Sequence, residues 1–204
     1  MRGGRGVGRW RRTSFGAASI ALAVALGGCG SAPVSMAVAG PPGTPATVSS
    51  SLFLPRSEPV RVIIPTLQVK ARLIELGLRP DRTMEVPTSA AAAGWYSGSP
   101  TPGELGPAVI TAHVSWQGTP GVFADLKTLD NGDQIGVRRA DGSLALFEVL
   151  RVEQYAKSRF PTEEVYGDIQ YAGLRLITCG GDVEPETGEY PDNVVVYAGL
   201  VGTL

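Results

Sequence analysis

The sequence predicts an all-β fold: a closed barrel of eight short strands with occasional short helical turns. Three observations predict it. Glycine and proline are plentiful, 27 and 16 of 204 residues, as many short strands joined by tight turns require. Apolar content is 43% and charged content 18%, which suits a packed core better than a disordered chain. Third, β-branched runs recur along the chain at turn-punctuated spacing with no internal repeat, and closing such strands into a barrel removes exposed sheet edges.

The fold begins only after two N-terminal segments. Residues 1–29 read as an address: Arg2, Arg5, Arg9, Arg11 and Arg12 precede an apolar run at 15–26, with no acid among them. A basic region followed by an apolar stretch of this length is the pattern of a secretory signal. Leu26-Gly27-Gly28-Cys29 resembles the bacterial lipobox, which implies a lipid on Cys29 and cleavage in front of it. The alternative is an uncleaved anchor helix, although the run is shorter than the roughly 20 residues a span needs. Arg11-Arg12-Thr13-Ser14-Phe15 also resembles, loosely, a twin-arginine signal. On either reading the rest of the chain is expected outside the cytoplasm, anchored to the outer face of the membrane. Residues 30–58 are rich in Ala, Gly, Pro, Ser and Thr and read as a flexible linker. The folded domain is expected at 59–204.

Within it, Val60 to Ile64 is a β-branched run closed by Pro65, and Ala71 to Leu76 is a second strand ended by Gly77. Thr83 to Val86 reads as a third, bounded by Pro80-Asp81 and Pro87, and Ala108 to His113 as a buried fourth. A single helical turn fits Val122 to Leu129. Gln134 to Arg138 and Leu144 to Gln154 alternate apolar and polar side chains. Asp130-Asn131-Gly132-Asp133 and Ala140-Asp141-Gly142-Ser143 are hairpin turn signals. Leu174 to Cys179 and Asn193 to Val201 complete the set.

Charge excludes one class of function. With the five N-terminal arginines set aside, 13 basic groups face 19 acidic ones, a formal charge of −6. Such a body has no basic field for phosphates, so nucleic acid is not expected among its partners.

Two residues carry the candidate chemistry. After Cys29 the only cysteine is Cys179, which has no internal disulfide partner, and the only histidine of the chain is His113. Both stand at the C-terminal ends of predicted strands, where side chains reach a cleft. A thiol beside an imidazole can form a thiolate–imidazolium pair, and the thiolate is the nucleophile. A lone cysteine is otherwise a small hydrophobe, and a lone histidine is often structural.

The surroundings of the pair favour the chemical reading. Leu174-Arg175-Leu176-Ile177-Thr178-Cys179 resembles the sortase signature in which Leu, a variable residue, Thr and Cys close a strand. Further landmarks follow in order: Ile64-Pro65, Gly94-Trp95-Tyr96 before the loop 98–107, Ala112-His113-Val114, Val122-Phe123 and Val152-Glu153-Gln154-Tyr155. Phe160-Pro161-Thr162, Val165-Tyr166-Gly167, Cys179-Gly180-Gly181 and Asp192-Asn193-Val194-Val195-Val196-Tyr197-Ala198 complete them. Together they are most similar to the actinobacterial class F sortases over about 140 residues.

The resemblance implies an eight-stranded sortase barrel and a thiol transpeptidase. Cys179 would attack the Thr–Gly carbonyl of a Leu-Pro-any-Thr-Gly sorting motif on an exported protein and form a thioester. His113 would protonate the leaving amine, then deprotonate an amine acceptor of cell wall or pilin, or a water. Thr178 would shape the substrate pocket, and loop 155–173 would line the groove. No metal and no organic cofactor is implied.

The pattern breaks at one place. Sortases also use an arginine on the strand after the cysteine, and in the class F pattern it falls on Pro191 of Tyr190-Pro191-Asp192-Asn193, with no Arg or Lys after Cys179. Proline offers neither charge nor N–H, and loss of an oxyanion donor commonly costs about 10²–10³ in rate. Three explanations compete. Another cation substitutes, with Arg175 on the same strand face as Cys179, or Arg151, Lys157 or Arg159 from neighbouring segments; an ordinary barrel-surface role is the alternative for Arg175. Or the enzyme is slow, or the chain is a catalytically impaired sortase-fold module that binds peptides or cell wall. An L,D-transpeptidase fits poorly, because its Ser-x-Gly-Cys-x-Arg context is absent around Cys179.

Overall fold

The computed structural model describes residues 52–204. The N-terminal address, Cys29 included, and linker residues 30–51 lie outside the described residues. The elements run β1 (Pro59–Ile64), a 3-10 turn (Pro65–Leu67), β2 (Val69–Leu76), β3 (Ala92–Tyr96) and β4 (Gly106–Ala112). A small hairpin of β5 (Ser115–Trp116) and β6 (Thr119–Pro120) and a 3-10 turn (Leu126–Thr128) lead to β7 (Gln134–Arg139) and β8 (Leu144–Ala156). Another 3-10 turn (Lys157–Arg159), the one-turn helix α1 (Thr162–Tyr166), β9 (Ala172–Gly180) and β10 (Asp192–Thr203) follow.

Eight strands close into a barrel in the order β1-β2-β3-β4-β9-β10-β8-β7, with β5 and β6 outside it as a separate pair. Two of the neighbours, β2–β3 and β4–β9, are parallel, and the rest are antiparallel. Alternation fills the interior: Ile135 and Val137 of β7, Leu174 and Leu176 of β9, and Val196, Ala198 and Leu200 of β10 point into one core with Phe123, Leu126 and Phe147. Each large apolar side chain so buried contributes about 1.5–3 kcal/mol. On the outer face of β4, β9 and β10 a second cluster of Val109, Ile177, Val195 and Tyr197 packs under Val165 of α1, with Phe160 and Tyr155 beside it. This outer layer fastens the segment between β8 and β9 against the barrel.

The barrel agrees with the expected fold class, while several elements differ. Thr83 to Val86 is not a strand; its one ladder contact is a bridge between Leu78 and Met84. The segment belongs to the long crossover that a parallel β2–β3 pair requires, and Pro80 and Pro87 cut it short. The place in the barrel goes to Ala92–Tyr96, where an alanine-rich approach of low β-propensity hides the strand. The turn at 126–128 falls inside the expected helical segment, whereas α1 lies in a stretch read as loop. Ala140 to Ser143 joins the β7–β8 hairpin, but Asp130 to Asp133 only turns the chain into β7.

Residues 52–58, assigned to the linker by composition, lie along the barrel. Leu52 and Leu54 pack on the core, and the Leu54 N–H donates to the Gly103 carbonyl at 2.7 Å. The Arg139 guanidinium, itself buried, donates to the Pro55 carbonyl and pairs with Asp141 at 3.4 Å.

Candidate active site

The parallel pairing of β4 with β9 sets the site. Parallel strands end at the same pole, and here the register runs Val109↔Arg175, Ile110↔Leu176, Thr111↔Ile177. Continued by two steps, it brings His113, just past β4, level with Cys179. Two threonines fix this end. The Thr111 hydroxyl donates to the Ile177 carbonyl at 3.0 Å, and the Thr178 hydroxyl to the Ala112 carbonyl at 2.8 Å, both across 66 positions of sequence. Thr178 is buried. Thr178→Val, which keeps the shape and strands the Ala112 carbonyl, is expected to destabilise the fold by about 1–3 kcal/mol. An unchanged denaturant midpoint would show that the bond contributes nothing.

Cys179 and His113 open into one cleft of about 180 Å³. Its floor is Thr111, Ala112, Ile177 and Thr178, its walls are Met84 and Val86 of the β2–β3 crossover and Tyr166 of α1, and Asn193 of β10 borders it. Cys179 is a free, partly buried thiol. Among the described residues no hydrogen bond joins it to His113, and no Arg or Lys lines the cleft.

Two contacts hold the imidazole, and its backbone is held as well. Nε2 lies 2.6 Å from the Pro87 carbonyl oxygen; a carbonyl only accepts, so Nε2 carries the proton and Nδ1 is left to exchange one. Trp116 of the outer hairpin packs on the ring, centroids 4.5 Å apart and planes tilted by 35°. Behind it, the His113 carbonyl accepts from the Phe123 N–H at 3.2 Å, and Gly121 runs so close that a Cβ there would collide with the same carbonyl. The hairpin is tied in turn to the β9–β10 loop, where Ser115 Oγ and the Tyr190 hydroxyl lie 3.1 Å apart.

The other expected residues lie elsewhere. Arg175 shares the outer face of β9 with Cys179 but is neither in the cleft nor on the surface: it is buried, its guanidinium 4.6 Å from the Tyr197 ring centroid. It donates to the adjacent Leu174 carbonyl at 3.3 Å, and its Nε has no hydrogen-bond partner among the described residues. Alternation gave its face correctly; α1 and Tyr197 cover that face, which strand periodicity does not reveal. Arg151 stacks on the same tyrosine ring at 3.7 Å and pairs with Glu164. Burial, more than any charge, holds the Tyr197 hydroxyl well above the usual tyrosine range. The Lys157 N–H donates to the Pro191 carbonyl at 3.0 Å, so Pro191 serves the loop through its backbone. Among the described residues no three His, Cys, Asp or Glu side chains cluster as a metal site.

Sequence reasoning did not assign Pro87, Trp116, Gly121 or Asn193. Asn193 is paired with Cys179 across β9–β10, yet the intervening loop is too long for a turn rule to fix that register. Pro87 marks a strand boundary in the sequence, and nothing in its neighbourhood announces a carbonyl aimed at a histidine.

A family model for the sortase domain matches residues 62–201. Comparison with curated proteins gives no match. Among solved structures, the SrtA sortase from Actinomyces oris is 22% identical with a TM-score of 0.55, the match covering 78% of this chain and 88% of that one. Sortase A from Corynebacterium diphtheriae is 20% identical with a TM-score of 0.55, covering 72% of this chain and 62% of that one. The lid mutant of Streptococcus agalactiae sortase C1 is 17% identical with a TM-score of 0.53, covering 74% and 72%. At these identities the likeness is one of fold.

Proposed function

This chain belongs to the sortase family, and from that membership we propose that it is a working cysteine transpeptidase, of the class F type, with Cys179 as nucleophile and His113 as acid and base. Sortases act on sorting-motif substrates and amine acceptors. The observation that carries the reading is the β4–β9 register, which sets thiol and imidazole at one level of one cleft.

The chemistry follows from that placement. His113 Nδ1 takes the thiol proton, while Nε2–H stays on the Pro87 carbonyl and steadies the imidazolium. The thiolate attacks the Thr–Gly carbonyl carbon of a Leu-Pro-x-Thr-Gly-like peptide and forms a C–S bond. The tetrahedral intermediate collapses with cleavage of the C–N bond, and the imidazolium hands its proton to the departing glycine amine. An incoming amine, or water, loses a proton to His113, attacks the thioester and releases Cys179. The apolar walls, Met84, Val86 and Tyr166, suit the apolar part of such a peptide. The N-terminal address supports an activity at the outer face of the membrane, with a lipid on Cys29 as the tether.

Intact-mass measurement tests the reading. Purified protein incubated with a sorting-motif peptide is expected to gain the mass of the peptide's N-terminal fragment, and Cys179→Ala is expected to gain nothing. No adduct across a panel of motifs, with the protein folded and its thiol accessible, would sink it. The second reading, a peptide- or cell-wall-binding module, draws on the proline at the arginine position and would then take its place. Position 191 lies one step beyond the Asp192–Gly180 pair, on the face of Asn193. Pro191→Arg is therefore expected to speed adduct formation by about tenfold, part of the range an oxyanion donor commands. An unchanged rate would show that the substituted side chain does not reach the reacting carbonyl.

A further inference from the structure

Cys179 has two flanks. His113 stands level with it on the β4 side, and Asn193 is its direct antiparallel partner on the β10 side. Directly opposed residues share a face, with Cβ atoms about 4.5–5.5 Å apart. Asn193 borders the same cleft, is partly buried, and its side-chain amide makes no hydrogen bond among the described residues. An unspent N–H₂ donor thus stands one side chain away from the sulfur, opposite the base.

Distance decides between it and the nearest arginine on the same face. Arg175 is four residues from Cys179, about 13 Å at a strand rise near 3.3 Å. Its guanidinium also folds back toward Gly173, where an added Cβ would meet Nη1 at 3.2 Å. The nearby Asp192 carboxylate, which would oppose a developing anion, is engaged by Gln154 Nε2 at 2.6 Å.

We propose that Asn193 is the oxyanion donor of this protein, its side-chain amide supplying the hydrogen bond that an arginine supplies in the family pattern. The inference rests on the transpeptidase reading for its substrate, but not for its chemistry. When the Cys179 sulfur bonds to an acyl carbon, the carbonyl π pair moves onto oxygen, and Asn193 N–H donates to that oxygen. When the pair returns and the leaving group departs with its proton from His113, the hydrogen bond relaxes. A neutral amide stabilises the anion less than a guanidinium, so turnover is slower than an arginine would give.

The test compares two reagents on one thiol. Acylation of Cys179 by p-nitrophenyl acetate passes through a tetrahedral oxyanion, whereas alkylation by iodoacetamide does not. Asn193→Ala and the nearly isosteric, uncharged Asn193→Leu are expected to slow acylation by roughly tenfold to a hundredfold and to leave alkylation within about twofold. Unchanged acylation overturns the proposal, as does a parallel fall of both rates, which would mean that Asn193 acts on the thiol or on folding. A wild-type thiol inert to the ester overturns it too. Wild-type protein that is acylated by the ester with Asn193 dependence, but never by a sorting-motif peptide, would sink the transpeptidase reading and leave the oxyanion donor in place.

Discussion

His113→Gln is expected to leave a folded barrel that no longer forms a peptide thioester at a useful rate, turnover falling by about 10²–10⁴. Glutamine is the informative choice. Its amide still donates to the Pro87 carbonyl, which the histidine Nε2 meets at 2.6 Å, so the crossover wall of the cleft keeps its anchor. What it cannot do is take a proton from the thiol and return it to an amine. A purely structural His113 would be rescued by glutamine; a proton carrier would not. His113→Ala completes the comparison by removing both roles, so its melting temperature should fall below that of His113→Gln while its activity is no worse. Intact-mass time courses and thermal melts on the three proteins check both statements. Full activity in His113→Gln would overturn the assignment.

A second large effect is expected far from any reacting atom. Gly121 closes the loop that carries the β5–β6 hairpin, its N–H donating to the Val114 carbonyl at 3.0 Å. A Cβ there would come far closer to the His113 carbonyl than the 3.0 Å that real contacts keep, and would meet the His113 Cβ at 3.1 Å. Backbone atoms give way poorly, so Gly121→Ala must push His113 off its place or spring the hairpin. Overpacking of this kind costs about 1–3 kcal/mol, and misplacing a catalytic group by about 1 Å costs on the order of 10²-fold in rate. Both effects are expected together. Wild-type melting temperature and wild-type adduct formation in Gly121→Ala would show that the loop yields freely.

Most of the barrel was legible because strand periodicity is local. Ile135 and Val137, or Val196, Ala198 and Leu200, announce an inward face in the sequence alone. Ala92–Tyr96 did not, because alanines carry little β signal, and Thr83 to Val86 did, because short β-branched runs look alike in strands and in crossovers. The two candidate reacting residues stood out by rarity, one thiol in the domain and one imidazole in the chain. Their neighbours did not. Asn193 is an ordinary strand-opening residue until the β9–β10 register sets it opposite Cys179, and Arg175 looks exposed until the fold buries it beside the Tyr197 ring. Tertiary contacts of this kind leave no periodic trace.

The parallel β4–β9 pair also orders events in time. A hairpin such as β7–β8 closes over a few residues and can form early, but β4 must wait for a strand 66 positions further along the chain. Contacts of such separation form slowly, because a long loop must close before they repay it. The imidazole therefore comes level with the thiol only when β9 has joined the sheet. In a growing or half-folded chain Cys179 has no base level with it, so the acyl chemistry proposed for it would begin only once β9 has paired with β4.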